Sequence, residues 1–300
     1  MKRTTEMRNP SSVGIDARPV EEILRVINAE DATIAGVVGE QIPRIAEAAE
    51  AVAAAVSGGG RVFFVGAGTS GRLGVIEAAE MPPTFGLPSE VFQGIIAGGP
   101  EAVFRSAEAA EDDEASGAVV LDERGFEPRD LLVALSASGG TPFVLGALKK
   151  AGELGAKTVS VTCNRGAAVS GLAEVPIVVE VGPEVVAGST RMKAGTAQKL
   201  VLNMITAAAM ARLGRVYDGY MVGVQATSAK LRERGERIVM EIAGVERVEA
   251  AGALEGAGGD VRVAVIMAAR GASPEEARRA LEDAGGSLRR ALEGLGAGGS

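Results

Sequence analysis

Apolar residues recur along this chain with two different periods, and the change between them predicts the order of helices and strands. From residue 20 to 57 the spacing is helical, and Pro43 inside it predicts a kink or a break. Five short β-type apolar runs follow, at 61–65, 91–96, 131–135, 158–162 and 176–181. The segments predicted to be helical between them are 71–80, 101–116, 141–154 and 167–173. This alternation predicts an α/β fold with a doubly wound, five-stranded parallel sheet.

The pattern changes again after the fifth run. A long apolar helix is predicted to end near Leu213, and a further helix is predicted over 221–243. Beyond Gly244 the chain is rich in Ala, Glu and Arg, which predicts a small helical bundle. We therefore expect an N-terminal helical segment (1–57), an α/β domain (58–244) and a helical bundle (245–300).

Composition narrows the classes of protein to consider. Of the 300 residues 47% are hydrophobic, the formal net charge is −8, and no basic stripe is interleaved with aromatic residues, so we expect no nucleic-acid partner. No apolar run approaches about 18 residues, so we expect no membrane span. The N-terminus lacks the apolar stretch of a signal peptide, and the single Cys163 is typical of a core residue in a reducing compartment; both favour a cytoplasmic protein.

The chain contains no histidine. This excludes a Ser-His-Asp triad, a Cys-His pair and a histidine-based metal site. Acid–base chemistry must then come from Glu, Asp, Lys, Tyr or Cys.

Two strands run directly into loops rich in glycine and hydroxyl groups, and each loop then opens a helix. The first reads RVFFVGAGTSGRLG (61–74) and the second DLLVALSASGGTPF (130–143). Backbone N–H groups, hydroxyls and a positive helix end favour an anion, so the pair predicts a phosphorylated small molecule bound between them. The candidate contacts are Thr69, Ser70, Gly71, Arg72, Ser136, Ser138, Gly139 and Thr141. The alternative is that they are ordinary turn and N-cap residues.

Neither of two familiar phosphate motifs describes the first loop well. Gly66, Gly68 and Gly71 fit the dinucleotide pattern G-x-G-x-x-G, but no carboxylate ends the second strand to hold a ribose. No G-K-[ST] follows a glycine-rich loop, which excludes a P-loop.

A third segment, GSTRMKAGT (188–196), adds two cations just before a helix. Ser189, Thr190, Arg191 and Lys193 can give a phosphate dianion charge-assisted hydrogen bonds. A solvated basic turn is the alternative.

Carboxylates are less informative. Pro82 and Pro83 are expected to stop the first helix just after Glu80, and Glu111 lies in an acidic run typical of a solvated helix face. Glu77 has an equally ordinary interpretation, and spacing alone identifies none of the three as catalytic.

Longer stretches carry a family resemblance. They are TEMRNPSS near the start, GAGTSGRLGVIEAAEMPPTFG (66–86), IIAGG (95–99), AEAAEDD (107–113), SASGGTP (136–142), GSTRMKAGTAQKLVLNMI (188–205) and ATSAKLRERGERIVM (226–240). From residue 4 to about 244 the chain resembles the N-acetylmuramic acid 6-phosphate etherases, whose core is a flavodoxin-like sugar isomerase (SIS) domain.

The resemblance implies a cytoplasmic lyase that releases D-lactate from the sugar 6-phosphate, leaving N-acetylglucosamine 6-phosphate, in peptidoglycan recycling. It also implies a homodimer without metal or organic cofactor, and catalytic roles for Glu80 and Glu111. We expect Glu80 to be the acid toward lactate and Glu111 a base. One departure is Gly140, where the family usually has arginine; its work would shift to Arg72 or Arg191.

Two alternatives stay open at this stage. SIS domains also occur in non-catalytic sugar-phosphate regulators, including a glucokinase regulatory protein, and in aldose–ketose phosphate isomerases. Retention of Glu80 and Glu111 favours the etherase over the regulator. Isomerases often recruit a histidine to open the sugar ring, and its absence here counts against that reading.

Overall fold

A computed structural model describes residues 4–226 and 228–296. It forms two compact units: one contains the chain up to Ala79 together with Ser89–Thr206, and the other contains Glu80–Pro88 and the chain from Ala207 onward. These units are divided at other points than 57/58 and 244/245, and the sequence-based domain boundaries stay a prediction.

The first unit begins with three short 3-10 turns, Thr4–Glu6, Pro10–Ser12 and Ile15–Ala17. The helices α1 (Val20–Asp31), α2 (Ile34–Gly39) and α3 (Ile42–Ser57) follow. Pro43 lies in the first turn of α3, where its missing N–H has no intrahelical partner to lose. The predicted break in the helical region therefore falls at its predicted place.

Five parallel strands form the sheet of this unit, which confirms the predicted fold class. They are β1 (Val62–Gly66), β2 (Phe92–Ile96), β3 (Leu131–Leu135), β4 (Lys157–Thr162) and β5 (Val175–Val178). Their order is β2-β1-β3-β4-β5, so the chain leaves β1 toward one edge and crosses back to β3. In open parallel sheets, ligands bind beyond the carboxyl ends of the strands at such a reversal.

Helices pack against both faces of the sheet: α3, α4 (Gly68–Phe85), α5 (Glu114–Glu123), α6 (Pro142–Glu153) and α7 (Ala168–Leu172). The helix α8 (Lys193–Arg212) follows the fifth strand in the chain. Alternate residues of β1 serve the two faces. Phe63 and Val65 join one buried cluster with residues of α5 and α6, whereas Phe64 faces Gly74 of α4 on the other side. Burial on both faces explains why the strands read as nearly continuous apolar runs.

The single thiol, Cys163, follows β4 and is fully buried, as expected of a core residue. Burial, with a smaller contribution from the charge of Glu184, raises the pKa of the thiol to about 12. The side chain is therefore a packing element and not a nucleophile.

The second unit contains a short antiparallel hairpin, β6 (Val216–Tyr217) and β7 (Tyr220–Met221), followed by helices. These are α9 (Ala229–Ala243), α10 (Arg247–Gly256), α11 (Val261–Arg270), α12 (Pro274–Asp283) and α13 (Leu288–Gly296). They share one apolar core that includes Val239, Leu254 and Val265. Ser273 begins α12 in a capping box with Glu276, so the predicted N-cap is present.

Three element predictions were wrong. The helix predicted over 101–116 is instead two 3-10 turns, Pro100–Val103 and Glu108–Asp112, and α5 begins only where the Asp113 carboxylate caps its first turn. Pro82 and Pro83 do not stop α4, which continues to Phe85. The helix ends just before Gly86, whose N–H donates to the Pro82 carbonyl.

The helix predicted over 221–243 begins only at α9, where the Ser228 hydroxyl accepts from the Leu231 N–H. The hairpin before it turns through Asp218 and Gly219, both with positive φ (47° and 81°). An Asp-Gly pair between aromatic residues is a recognised hairpin signal that the sequence analysis did not use.

Candidate active site

The first two predicted loops leave neighbouring strands at the same edge of the sheet. Gly66, the last residue of β1, pairs with Leu135, the last residue of β3. The first strand runs through Ala67 straight into the first turn of α4, and the other runs into the loop 136–141. The topology therefore brings these two segments together, as the sequence analysis expected.

The first loop is so tight that it needs glycine at two positions. A Cβ at Gly66 would lie 2.6 Å from the Gly71 nitrogen, and a Cβ at Gly71 would lie 2.6 Å from Ile96 Cγ1. This close approach lets α4 begin at Gly68, directly above the strand. The N–H groups of the first helical turn, around Thr69 and Ser70, thus lie at the carboxyl edge of the sheet, where they favour an anion.

In the second loop the hydroxyls bond mainly to one another. Ser136 Oγ lies 2.8 Å from Thr141 Oγ1 and accepts the Gly139 N–H at 2.9 Å. Ser138 Oγ is 3.4 Å from Ser136 Oγ and is half-buried. Ser136 and Thr141 therefore shape the loop, while Ser138 borders open space.

That space is a cavity of about 510 Å³ beyond the ends of β3 and β4, large enough for a small ligand. Ser138, Gly139, Gly140 and Arg165 line it. Arg165 pairs with Glu180 at 2.6 Å and remains exposed. Arg165 therefore lines the same cavity as Gly140 and could supply the cation that the family usually has at position 140. Only Arg72 and Arg191 were expected in this role from the sequence.

The N-terminal segment forms another wall of this cavity through Thr4. The Thr4 backbone N–H donates to Asn164 Oδ1 at 2.8 Å, and Asn164 Nδ2 donates to the Ala137 carbonyl at 3.0 Å. Asn164 therefore ties the N-terminus to the second loop. The sequence analysis missed it, although its position just after β4 at the carboxyl edge is the signal that was used for the other loops.

The third predicted segment meets the first loop through α8. A Cβ at Gly195 would lie 3.4 Å from Thr69 Cγ2, and Ser70 Oγ donates to Gln198 Oε1 at 2.8 Å. Ser189 and Thr190 are half-buried and Arg191 is exposed just before α8. Two of the three segments therefore touch directly, and the second adjoins the first through the paired strands.

Lys193 does not lie as a phosphate ligand would. Its ammonium is buried, donating to Glu30 Oε2 at 2.6 Å and to the Pro183 carbonyl at 3.2 Å. Burial alone would raise the pKa of Glu30, but hydrogen bonds from Lys193, Asn9 and Ser11, with the charge of Lys193, outweigh it and lower that pKa.

A carboxylate occupies the amino end of α8. Glu184 is fully buried and accepts the N–H groups of Lys193 and Ala194 at 2.8 and 2.9 Å. Burial raises the pKa of Glu184 despite these two hydrogen bonds. The first turn of α8 is therefore already capped by a carboxyl group of the protein, which was not expected from the sequence.

Arg72 is also engaged by the protein. Its guanidinium donates to the carbonyls of Ala102 and Val103 at 2.7 and 2.8 Å. It therefore anchors the turn at Pro100–Val103 beside the first loop.

Glu111 lies near Arg72, beside the first turn of α4. Together with Gly68, Arg72 and Glu108 it lines a small cavity of about 50 Å³. Glu111 is an exposed residue, and partial burial of its carboxyl, followed by the charges of Asp112 and Glu108, raises its pKa. A higher pKa makes the ionised carboxylate a better proton acceptor.

Glu80 and Glu77 lie on α4 but differ in their surroundings. Glu80 belongs to the second unit and is exposed. Glu77 is buried, accepting from Lys199 Nζ and from Thr206 Oγ1, both at 2.6 Å. Its carboxylate therefore joins α4 to α8, and the sequence offered no reason to distinguish it.

Within residues 4–226 and 228–296, no group of three or more Cys, Asp or Glu side chains is placed to hold a metal ion. Over the same residues no helix combines the length and apolar character needed to cross a membrane.

Comparison with known proteins first defines the class. A profile of the glucokinase regulatory protein N-terminal SIS domain matches residues 44–152. Phosphoheptose isomerase from Neisseria gonorrhoeae shares the fold, with a TM-score of 0.51, 16% identity, and coverage of 64% of this chain and 100% of that one. Residues 44–152 thus match an SIS domain, and the chain shares the fold of that class.

Closer relatives identify the family. N-acetylmuramic acid 6-phosphate etherase of Aeromonas hydrophila subsp. hydrophila is 50% identical over 263 residues, covering 88% of both proteins. The etherase of Halalkalibacterium halodurans is 49% identical over 265 residues, covering 88% of this chain and 89% of its own. The chain belongs to the N-acetylmuramic acid 6-phosphate etherase family.

Proposed function

We propose that this protein is a carbon–oxygen lyase that cleaves the D-lactyl ether of N-acetylmuramic acid 6-phosphate. The observation that carries the proposal is the near-complete alignment with etherases at about 50% identity. The products are N-acetylglucosamine 6-phosphate and D-lactate. The protein acts in the cytoplasm, in the recycling of peptidoglycan sugars. The protein works as a homodimer and without a metal or organic cofactor.

The chemistry is an elimination followed by a hydration. Opening of the sugar ring frees an aldehyde at C1, which acidifies the proton on C2. A base removes that proton, the C3–O bond breaks, and lactate leaves with a proton from an acid. Water then adds to the C2–C3 double bond and restores the hydroxyl at C3.

This sequence of steps needs one ionised and one protonated acid–base group. We assign the base to Glu111 and the acid toward lactate to Glu80. The raised pKa of Glu111 and its place beside Gly68 and Arg72 support the first assignment. The phosphate is assigned to the N-terminal turn of α4, with Thr69, Ser70 and Gly71, and to the loops carrying Ser136, Ser138, Gly139, Thr141, Ser189, Thr190 and Arg191.

Release of lactate from N-acetylmuramic acid 6-phosphate tests the function directly. Wild-type protein is expected to release one lactate per sugar phosphate. Glu80→Gln and Glu111→Gln are each expected to lower kcat by roughly 10²–10⁴-fold, the usual contribution of a general acid or base, while sugar-phosphate binding persists. Glu21→Gln, at an exposed position on α1, is the matched control and is expected to act as wild type.

The alternatives have distinct outcomes in the same assay. A regulator would bind the sugar phosphate without turnover, and an isomerase would interconvert sugar phosphates without lactate. Sedimentation equilibrium checks the homodimer, and a monomer with full activity would remove that part of the proposal.

A further inference from the structure

The Gln198 side chain is buried with an unused donor. Only 1% of the residue is exposed, and its Nε2 has no hydrogen-bond partner among the described residues. Its Oε1, in contrast, accepts the Ser70 hydroxyl at 2.8 Å. Leaving a buried N–H unpaired is unfavourable, so such a donor marks a place where a partner is expected.

The surroundings favour an anionic partner. Ser70 lies in the first turn of α4, a helix of 18 residues whose amino end carries partial positive charge. Gly195, one turn before Gln198 on α8, lies near the methyl group of Thr69, since a Cβ at this glycine would be 3.4 Å from that carbon. The unused amide donor therefore lies beside the turn that the proposed function assigns to the phosphate.

The direction of the hydrogen bond separates the roles of the two residues. An amide oxygen only accepts, so the single hydroxyl proton of Ser70 points to Gln198 Oε1 and not to a ligand. The donor left over from this pair is the Nε2 group of Gln198. Ser70 then holds the amide in its orientation.

We propose that Gln198 binds a phosphoryl oxygen of the sugar phosphate through its side-chain N–H, and that Ser70 is the residue that positions it. This inference rests on the proposed function, because the ligand of Gln198 is the same sugar phosphate. It adds a ligand residue on α8 that was not among the sequence-predicted contacts. It also changes the role of Ser70 from direct contact to support.

Three substitutions separate these roles. Gln198→Glu keeps an acceptor for Ser70 but replaces the donor by a charged acceptor, which repels phosphate. Gln198→Met removes the donor without adding a charge, and it serves if the buried glutamate prevents folding. Ser70→Ala removes only the positioning bond. Gln93→Glu, on a half-exposed residue of β2, is the matched control for the change of charge.

Binding of inorganic phosphate and of N-acetylglucosamine 6-phosphate is measured by titration calorimetry. Gln198→Met is expected to weaken both by about 10- to 100-fold, the usual effect of losing a hydrogen bond to a charged group. Gln198→Glu is expected to weaken them further and Ser70→Ala less. Gln93→Glu is expected to bind as wild type. In kinetics, the Gln198 variants should raise KM more than they lower kcat.

A direct readout is the side-chain amide resonance of Gln198 in nitrogen-15 spectra, assigned by its absence in Gln198→Met. It should shift on addition of inorganic phosphate. The proposal is overturned if both folded Gln198 variants bind phosphate as wild type does, or if Ser70→Ala loses more affinity than Gln198→Met. Wild-type protein that binds no phosphate overturns it as well. Wild-type protein that binds the sugar phosphate but releases no lactate refutes only the proposed etherase activity.

Discussion

The ion pair between Glu30 and Lys193 offers the sharpest test of how the first unit is held together. The pair joins the last turn of α1 to the first residue of α8 with an N–O distance of 2.6 Å. The Lys193 side chain is 4% exposed and that of Glu30 is 20% exposed. Glu30→Gln keeps the shape of the side chain and leaves the buried ammonium without its carboxylate.

The expected cost follows from this burial. Removing one partner of a buried pair typically destabilises by about 3–5 kcal/mol. Because a fifth of Glu30 remains in contact with water, we expect about 2–4 kcal/mol. For a unit of this size that loss lowers Tm by roughly 5–15 °C. The control is Glu21→Gln on the same helix, whose pair with Arg25 is 75% exposed on both sides and should cost at most about 0.5 kcal/mol.

The pH dependence has a definite sign. The pKa of Glu30 is lower in the folded protein than its ordinary value of 4.5, so its contribution is complete above pH 4.5 and is lost as the pH falls further. The difference in Tm between wild type and Glu30→Gln, measured by circular dichroism, should therefore shrink below pH 4.5. A variant as stable as Glu21→Gln at pH 7 would refute the reasoning. So would a Lys193→Met variant that keeps its Tm but loses affinity for sugar phosphate, because Lys193 would then be a ligand.

Three further expectations concern the first loop, the base and the helical bundle. Gly66→Ala places a methyl group 2.6 Å from the Gly71 nitrogen, so it should lower the free energy of unfolding by about 1–3 kcal/mol and reduce lactate release. The control Gly39→Ala, which has open space around it in α2, should do neither. Equal thermal stability of the two variants would contradict the close approach. If Glu111 is the base, kcat/KM should fall on the acidic side with an apparent pKa above 4.5. Asp112→Asn should move this fall to lower pH, because it removes a negative charge that raises the pKa of Glu111. An unchanged pH profile would argue for another base. Ser273→Ala removes the capping box of α12 and should cost about 1 kcal/mol in thermal unfolding without changing KM; an unchanged Tm would show that the box contributes nothing.

The sheet was predictable because its five strands are short, mostly apolar runs that alternate with helical segments, and two of them run directly into segments rich in glycine and hydroxyl groups. The positions of the loops followed from topology alone, since parallel strands end at a common edge. The hydroxyls of the second loop were correctly placed together. Their mutual hydrogen bonds were not foreseeable, because they depend on side-chain directions within a six-residue loop.

The contacts that the sequence did not foretell involve partners distant in sequence. Lys193 reads as a phosphate cation in GSTRMKAGT, but its carboxylate partner Glu30 lies 163 residues away. Glu77 and Gln198 likewise take their roles from contacts between α4 and α8 that no local pattern encodes. The missed hairpin is different in kind, because Asp218-Gly219 carried a local signal.

The buried thiol of Cys163 has a practical consequence for anyone wishing to follow motion in this protein. It is the sole cysteine in the sequence, it is fully buried, and its pKa of about 12 keeps it in the unreactive thiol form at neutral pH. A fluorophore or spin label directed at a newly introduced surface cysteine should therefore attach at one place, with the native residue left intact. Distances between labelled copies can then be measured without first engineering a cysteine-free background.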